Sequence, residues 1–389
     1  MAFVPLSYTF RSIVGRSSAT ALTIVGTGAT VAVLAGVLAL QQGFQTLFTQ
    51  GGRDDVAMFL RKGATSEGES SYPVDRAEIV KKSTPEIAPD AAGQPLASGE
   101  MYLAVRRRKL DGGETNVPIR GIEQATIAIH GAALRIVEGR WLAAGKNEVC
   151  VGRSLTTRIQ HAQVGQELRI NTMSFQVVGV FDHDGPYASE IWGDAQVMSQ
   201  VLERPGFNRI LAVLKPGTDL AALTKRLDED KQVPSKVLTE RGYLEGQTKG
   251  LSYVLVGLGT FLAIIMGTAA VLTGTNTMLA ALASRTHEVG ILLAIGFRPY
   301  SIFLSFMLES VILGLLGGAV GCLMILPVNG VRTGTTNFQT FTEVAFAFRI
   351  TPLVLIVAVV FSLALGVLAG TLPAFFAARL RPTQALRRE

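Results

Sequence analysis

Residues 250–284 read "GLSYVLVGLGTFLAIIMGTAAVLTGTNTMLAALAS", a run with no Asp, Glu, Lys, Arg or His. It exceeds the roughly 20 apolar residues that cross the hydrocarbon core of a bilayer. Residues 17–52 and 350–378 are equally free of charge, and residues 301–328 carry a single acid, Glu309. Four membrane-spanning helices follow, over 17–42, 250–280, 301–328 and 351–377. The composition agrees: 48% hydrophobic and 17% charged, with mean hydropathy +0.36, is too apolar for a wholly soluble chain and too charged for one buried in lipid throughout.

Charge orients the spans. Four crossings put residues 1–16, 281–300 and 378–389 on one side. Those segments hold Arg11, Arg16, Arg285, Arg298, Arg379, Arg381, Arg387 and Arg388 against Glu288 and Glu389. Residues 53–249 balance at 26 basic and 26 acidic, so the net +6 gathers on one face. The positive-inside tendency makes that face cytoplasmic and puts both termini of a multi-pass protein inside. The high pI is therefore a topology signal and no nucleic-acid footprint, which would need basic residues concentrated in the soluble part. Arg11 and Arg16 before an apolar run also resemble a secretory signal, but signal cores run about 7–15 residues and this one is far longer.

Between the first two spans, residues 43–249 form an α+β extracytoplasmic domain. "EVCVG" (148–152), "ELRIN" (167–171), "SFQVVGVF" (174–181) and "RILAVLK" (209–215) read as strands. "TDLAALTKRLDED" (218–230) has helical spacing, with Thr218 or Asp219 as its cap. Residues 61–73 and 88–100 are Gly/Ser/Pro-rich and read as loops outside the core. Cys150 lies in this domain and Cys322 in the third span, so no disulfide joins them. Spans one and two carry more uncharged length than a bilayer needs and are expected to continue beyond it as stalks. A loop of 329–350 closes the outer side.

Chemistry-bearing clusters are scarce. There is no G-x-x-x-x-G-K-[ST], so the 389 residues hold no P-loop, no catalytic set and no bound cofactor is expected. Asp182, His183 and Asp184 stand together before Gly185-Pro186, a solvated turn more than a metal site, because neighbours on a turn rarely converge on one ion. Arg106, Arg107, Arg108 and Lys109 read as a charge-guarded strand edge running into the Asp111-Gly112-Gly113 turn; an acidic partner or lipid headgroup is the competing reading.

The membrane helices say more. Gly28, Ala32 and Gly36 recur every four residues, and Gly314/Gly318 and Gly317/Gly321 give two overlapping GxxxG patterns that permit close helix contact. One such face suits packing within the chain; two favour a second copy or a paralogue. Glu309 sits inside a span, as an ion-paired structural acid or as a moving part. On the cytoplasmic side "SRTHEVGILLAIGFRP" (284–299) predicts a short helix stopped by Gly296, with Pro299 opening the next span. It is either offered to a partner or laid on the membrane surface. Gly290 and Ala294 share a face for close approach, with Arg285 and Glu288 at its rim and Leu293 and Gly296 completing the segment.

This segment resembles the E-R-x-R-E-I-G-I-L-R-A-L-G coupling motif of the MacB/FtsX-type permeases of ABC transporters, with Ser284 in place of the usual Glu and His287 in place of the usual basic residue. "GTLPAFFAARLRPTQALRRE" (370–389) is similar to that family's C-terminal ending through Pro373, Ala374, Ala377, Ala378, Arg379, Pro382, Ala385, Leu386 and Arg387. "EGRWLAAGKNEVCVGRSL" and "VGQELRINTMSFQVVGVF" resemble strands of its periplasmic core domain. The resemblance implies a dimeric permease of the bacterial inner membrane that docks a separate ATPase, which holds the ATP and Mg²⁺. The stroke passes along the helices to the core domain and drives export or extraction of a hydrophobic substrate (lipid, lipoprotein, peptide or drug), with a periplasmic adaptor as a further partner. The alternative is an FtsX-like non-transporting regulator that activates a cell-wall hydrolase; a membrane enzyme is excluded by the missing catalytic cluster.

Overall fold

The computed structural model describes residues 17–337 and 342–381. The expected N-terminal segment 1–16 and, in the C-terminal motif, Pro382, Ala385, Leu386 and Arg387 lie outside them. The chain divides into two units. One comprises the described residues of Met1–Gly43, Leu251–Val331 and Ala347–Glu389; the other comprises Phe44–Gly250 and Arg332–Phe346.

The first unit is helical. Its elements are α1 (Ser17–Gln50), α6 (Glu240–Ser284), α7 (Thr286–Ala294), α8 (Pro299–Ile325) and α9 (Pro352–Ala378), and four of them are long and apolar enough to span a membrane. α1 and α6 both outrun the expected spans of 17–42 and 250–280. At about 1.5 Å per residue they measure roughly 50 and 68 Å. Each includes residues assigned to both units. Pro299 and Pro352 occupy the first turns of α8 and α9, where a missing N–H costs nothing, and the Thr351 hydroxyl accepts from Val354 N at 3.4 Å to cap α9.

The second unit is built on one mixed sheet of ten strands among the described residues. In chain order these are β1 (Val56–Arg61), β2 (Ala97–Arg108), β3 (Glu114–Ile122), β4 (Leu134–Gly139), β5 (Glu148–Gly152), β6 (Glu167–Ile170), β7 (Met173–His183), β8 (Ile191–Asp194), β9 (Arg209–Val213) and β10 (Ser235–Thr239). Spatially they run β10-β1-β9-β2-β3-β8-β5-β7-β4, with β6 hairpinned onto β7. β3/β8 and β5/β7 are parallel. Short helices α2 (Val74–Ser83), α3 (Ala125–His130), α4 (Ala195–Val201) and α5 (Leu220–Asp228) lie between the strands in the chain and pack against the sheet. The sequence-based strands correspond to β5, β6, β7 and β9, and the helix to α5. Asp219 is its cap: Oδ1 accepts from Ala221 N at 2.9 Å and Ala222 N at 3.2 Å. Phe59, Ala77, Val80, Ile210, Leu223 and Val237 fill one core, and Val149, Val151, Phe175, Val177 and Met198 fill another.

Several loop assignments are corrected. Residues 97–100, expected as loop, begin β2 and pair with β9, and Ser98 and Glu100 are fully buried. Ser66, Glu67, Ser70 and Tyr72 of the 61–73 stretch are buried as well. The outer loop 329–350 contains a hairpin of β11 (Arg332–Asn337) and β12 (Thr342–Ala347). Residues 332–346 of it belong with the sheet unit, where Phe346 packs edge-on to Phe44 at 5.3 Å. The basic run is not the free edge expected: Arg106–Arg108 pair with β3 on one side, while on the other Arg108 O accepts from Gln160 N at 3.0 Å and Leu110 N donates to Arg158 O at 3.0 Å; Lys109 N donates to Gly113 O at 2.7 Å across the turn.

Candidate coupling site

α7 follows α6 after one residue, Arg285, and stops at Gly296, whose φ of +107° suits glycine. Phe297 N donates to Leu292 O at 3.1 Å and Gly296 N to Leu293 O at 3.2 Å, closing the helix end. Val289 and Gly290 are buried, and Leu293 is half-buried against a cluster of Met278, Leu282, Phe306 and Ala374. His287, Glu288, Ile291, Ala294 and Ile295 face outward. The expected Gly290–Ala294 face is therefore split: Gly290 packs inside the chain, and the outward face centres on Ile291 and Ala294.

Arg285 departs further from the expected rim position. Its Nη1 donates to Oε2 of Glu309 in α8 at 3.3 Å, with side chains 11% and 8% exposed. The intramembrane acid is thus an ion-paired one, holding the start of α7 to α8. Opposite charge makes a carboxylate tolerable at that depth.

The glycine patterns are also corrected. Both faces of α8 are occupied within this chain. A Cβ at Gly314 would meet Ser362 O of α9 at 2.7 Å, and one at Gly318 would collide with the Ser362 hydroxyl. On the other face, Cβ atoms at Gly317 and Gly321 would fall 2.7 Å from Thr27 Cβ and 2.6 Å from Gly28 O of α1. Gly28 meets Gly317 O in return, Gly36 meets Ile325, and Ala32 is half-buried. Both glycine faces pack against helices of this same chain, so neither calls for a second copy. Hydroxyls add to it, with Ser310 Oγ donating to Gly366 O at 2.6 Å and Thr275 Oγ1 to Ala369 O at 3.1 Å.

A feature of the sheet unit escaped sequence reading. Arg120 of β3 and Arg209 of β9 are buried with Glu67, Glu100 and Glu190. Arg120 Nε and Nη2 donate to Glu190 Oε2 and Oε1 at 2.7 and 2.8 Å, and Arg209 Nε donates to Glu100 Oε2 at 2.7 Å. Burial opposes ionisation of Glu67, yet Arg120 and Arg209 outweigh it and hold its carboxyl below the usual range. The first turn of α6 plugs into this network: Tyr187 donates to Glu240 Oε1 at 2.8 Å, Arg53 N donates to Glu240 Oε2 at 3.1 Å, and Tyr243 accepts from Glu67 N at 3.0 Å. These acids and arginines are scattered through the sequence, and only the sheet brings them together.

His183 belongs to the same region. Asp182 and Asp184 are drawn off to Arg153 and Arg135 at 3.2 and 2.9 Å, so the three do not converge. Contrary to a solvated turn, His183 is 4% exposed at the end of β7, and its Nδ1 accepts from Gly185 N at 2.9 Å. Burial lowers its pKa to about 4 against the opposing pull of Asp184 and Asp182.

Residues 20–230 match the model of the MacB-like periplasmic core domain, and residues 260–382 match that of the FtsX-like permease C-terminal region. The chain is 25% identical over 394 residues to the macrolide export ATP-binding/permease protein MacB of Agrobacterium fabrum, covering 97% of this chain and 57% of that one. It is 30% identical over 246 residues to the protein of the same name from Shigella sonnei, covering 58% and 35%. Among solved structures, the periplasmic region of MacB from Actinobacillus actinomycetemcomitans aligns at TM-score 0.37 and 12% identity, over 49% of this chain and 91% of that one. The chain spans between about a third and just over half the length of these two whole-protein relatives.

Proposed function

Because the chain belongs to the MacB/FtsX-type permease family, we propose that it is the membrane subunit of an ATP-driven machine. In this reading a separate ATPase binds ATP and Mg²⁺ and docks on the outward face of α7. Its closure is carried by α1 and α6 to the sheet domain, which drives export or extraction of a hydrophobic substrate on the periplasmic side. The residues 281–300 then lie in the cytoplasm, and a second permease copy or paralogue completes a two-ATPase assembly.

The observation that carries this reading is α6. It is one helix of 45 residues. One end is anchored by Glu240 and Tyr243 in the buried charge network; the other leads through a single residue into α7. A continuous helix resists compression, because each peptide is hydrogen-bonded to the next turn, so it suits transmission of a displacement. The test is co-purification of the ATPase with the permease and ATP turnover of the complex. Ile291→Glu, on the exposed face, is expected to abolish both while the chain keeps its thermal stability. Retention of both would remove α7 as the docking element.

A further inference from the structure

The hairpin of β2 and β3 carries an arginine whose charge is unmatched. Arg107 Nη1 donates to the carbonyl of Arg169, beside the β6–β7 turn, but its Nε and Nη2 are shielded from water and have no hydrogen-bond partner among the described residues. Those two nitrogens form the side edge of the guanidinium. In Arg120 the same edge forks onto both oxygens of Glu190. In Arg107 the fork is built and desolvated, yet it faces no acid. Burial lowers the Arg107 pKa accordingly, and a desolvated, unpaired charged donor is among the costlier features a fold retains.

Beside this fork opens a cleft of about 490 Å³. Its lining includes Arg106, Arg107, Arg108 and Arg169 with one acid, Glu114, which stands opposite Arg108 in the strand register. That leaves an excess of three positive charges. The cleft lies beside the β6–β7 turn. At the far end of β7, Gly185 touches Gly51, the residue just beyond α1. Eleven residues of strand, about 36 Å, separate the two ends.

We propose that this cleft binds a phosphate group carried by a water-soluble molecule, taken bidentate on the Arg107 Nε/Nη2 edge once that side chain turns from its water-shielded position to face the bound group. A dianion answers the charge excess better than a single carboxylate, and a guanidinium fork matches two phosphate oxygens. Apart from Val105 and Leu168 the lining is polar or charged, which leaves little for an acyl chain and is the reason for assigning a soluble source over a lipid headgroup. The inference concerns the sheet domain alone and holds whether or not an ATPase docks on α7.

The full chain in detergent micelles is titrated with inorganic phosphate and pyrophosphate at constant ionic strength, with thermal unfolding and calorimetry as readouts. Saturable binding is expected, stronger than that of acetate. Arg107→Lys, which keeps the charge and loses the fork, should weaken it about tenfold or more, and the exposed Arg106→Gln about two- to threefold. A merely structural Arg107 would lower the unfolding temperature of Arg107→Lys without altering its response to phosphate. Absent or unsaturable binding, or equal binding by wild type and Arg107→Lys, overturns the proposal. So does displacement of phosphate by nanodiscs of phosphatidic acid but not of phosphatidylcholine, which would assign the site to lipid.

Discussion

Arg285 and Glu309 give the sharpest test of how α7 is held. A nitrogen–oxygen separation of 3.3 Å with both side chains about nine-tenths covered corresponds to about 5 kcal/mol of attraction at an effective dielectric of about 20. Desolvation offsets part of this, so removing one partner should cost about 3 kcal/mol, because the attraction is lost while the other charge stays largely buried. Arg285→Met and Glu309→Met are each expected to lower stability by about that much, while the double variant loses far less than the sum. Arg285→Glu should be worse than either, since it sets two carboxylates side by side; a solvent-exposed arginine would have cost about 1 kcal/mol or less. The assay is reversible denaturation of the purified chain in mixed micelles, read as a double-mutant cycle. Strict additivity of the two single changes would refute the pair.

Gly318→Leu should disrupt the membrane unit itself, because the added side chain meets Ser362 of α9; detergent-solubilised variant with wild-type stability would contradict this packing. Stability should also fall with acid. His183 has its pKa lowered to about 4 from an unfolded value near 6.5, so its contribution is complete above pH 6.5 and is lost as pH drops toward 4, about 3 kcal/mol in all. His183→Asn, whose side-chain oxygen can still accept from Gly185 N, should remove about one proton from that dependence in pH-series denaturation; an unchanged slope would dismiss the buried neutral imidazole. Cysteine placed at His287 should label only from the cytoplasmic side and cysteine at Asp111 only from outside, both positions being exposed; external labelling at 287 would invert the topology.

Hydropathy and charge made the membrane architecture readable, since a long uncharged run has few alternatives to a spanning helix. Local patterns located β5, β6, β7, β9 and α5 because alternation and a capping Asp219 are short-range signals. What stayed hidden depends on distant pairing. Ser98 and Glu100 look like loop residues until β9 and Arg209 are placed against them. Gly290 and Ala294 share a helix face in the sequence, but only the packing of Val289 and its neighbours against α8 and α9 decides which of the two is open. The glycine stripes announced close contact and could not announce the partner, which proved to be α1 and α9 of the same chain. Arg120 and Arg209 gave no local sign of burial, because what permits it is a set of glutamates distant in sequence, as Glu67 is from Arg209.

The central claim, that α6 carries motion between α7 and the sheet domain, turns on its continuity at Gly250. A Cβ there meets nothing within 4 Å among the described residues, so substitutions act on the helix itself. Gly250→Ala stiffens the helix by about 1 kcal/mol, whereas Gly250→Pro removes a hydrogen bond and kinks it at a cost of about 3 kcal/mol or more. Hydrogen–deuterium exchange of residues 44–250 in the permease–ATPase complex, with and without ATP, reads the transmitted movement while turnover is measured in parallel. The predicted result is an ATP-dependent change in wild type and Gly250→Ala, absent in Gly250→Pro although ATP is still hydrolysed; an undiminished change in Gly250→Pro would contradict transmission through α6.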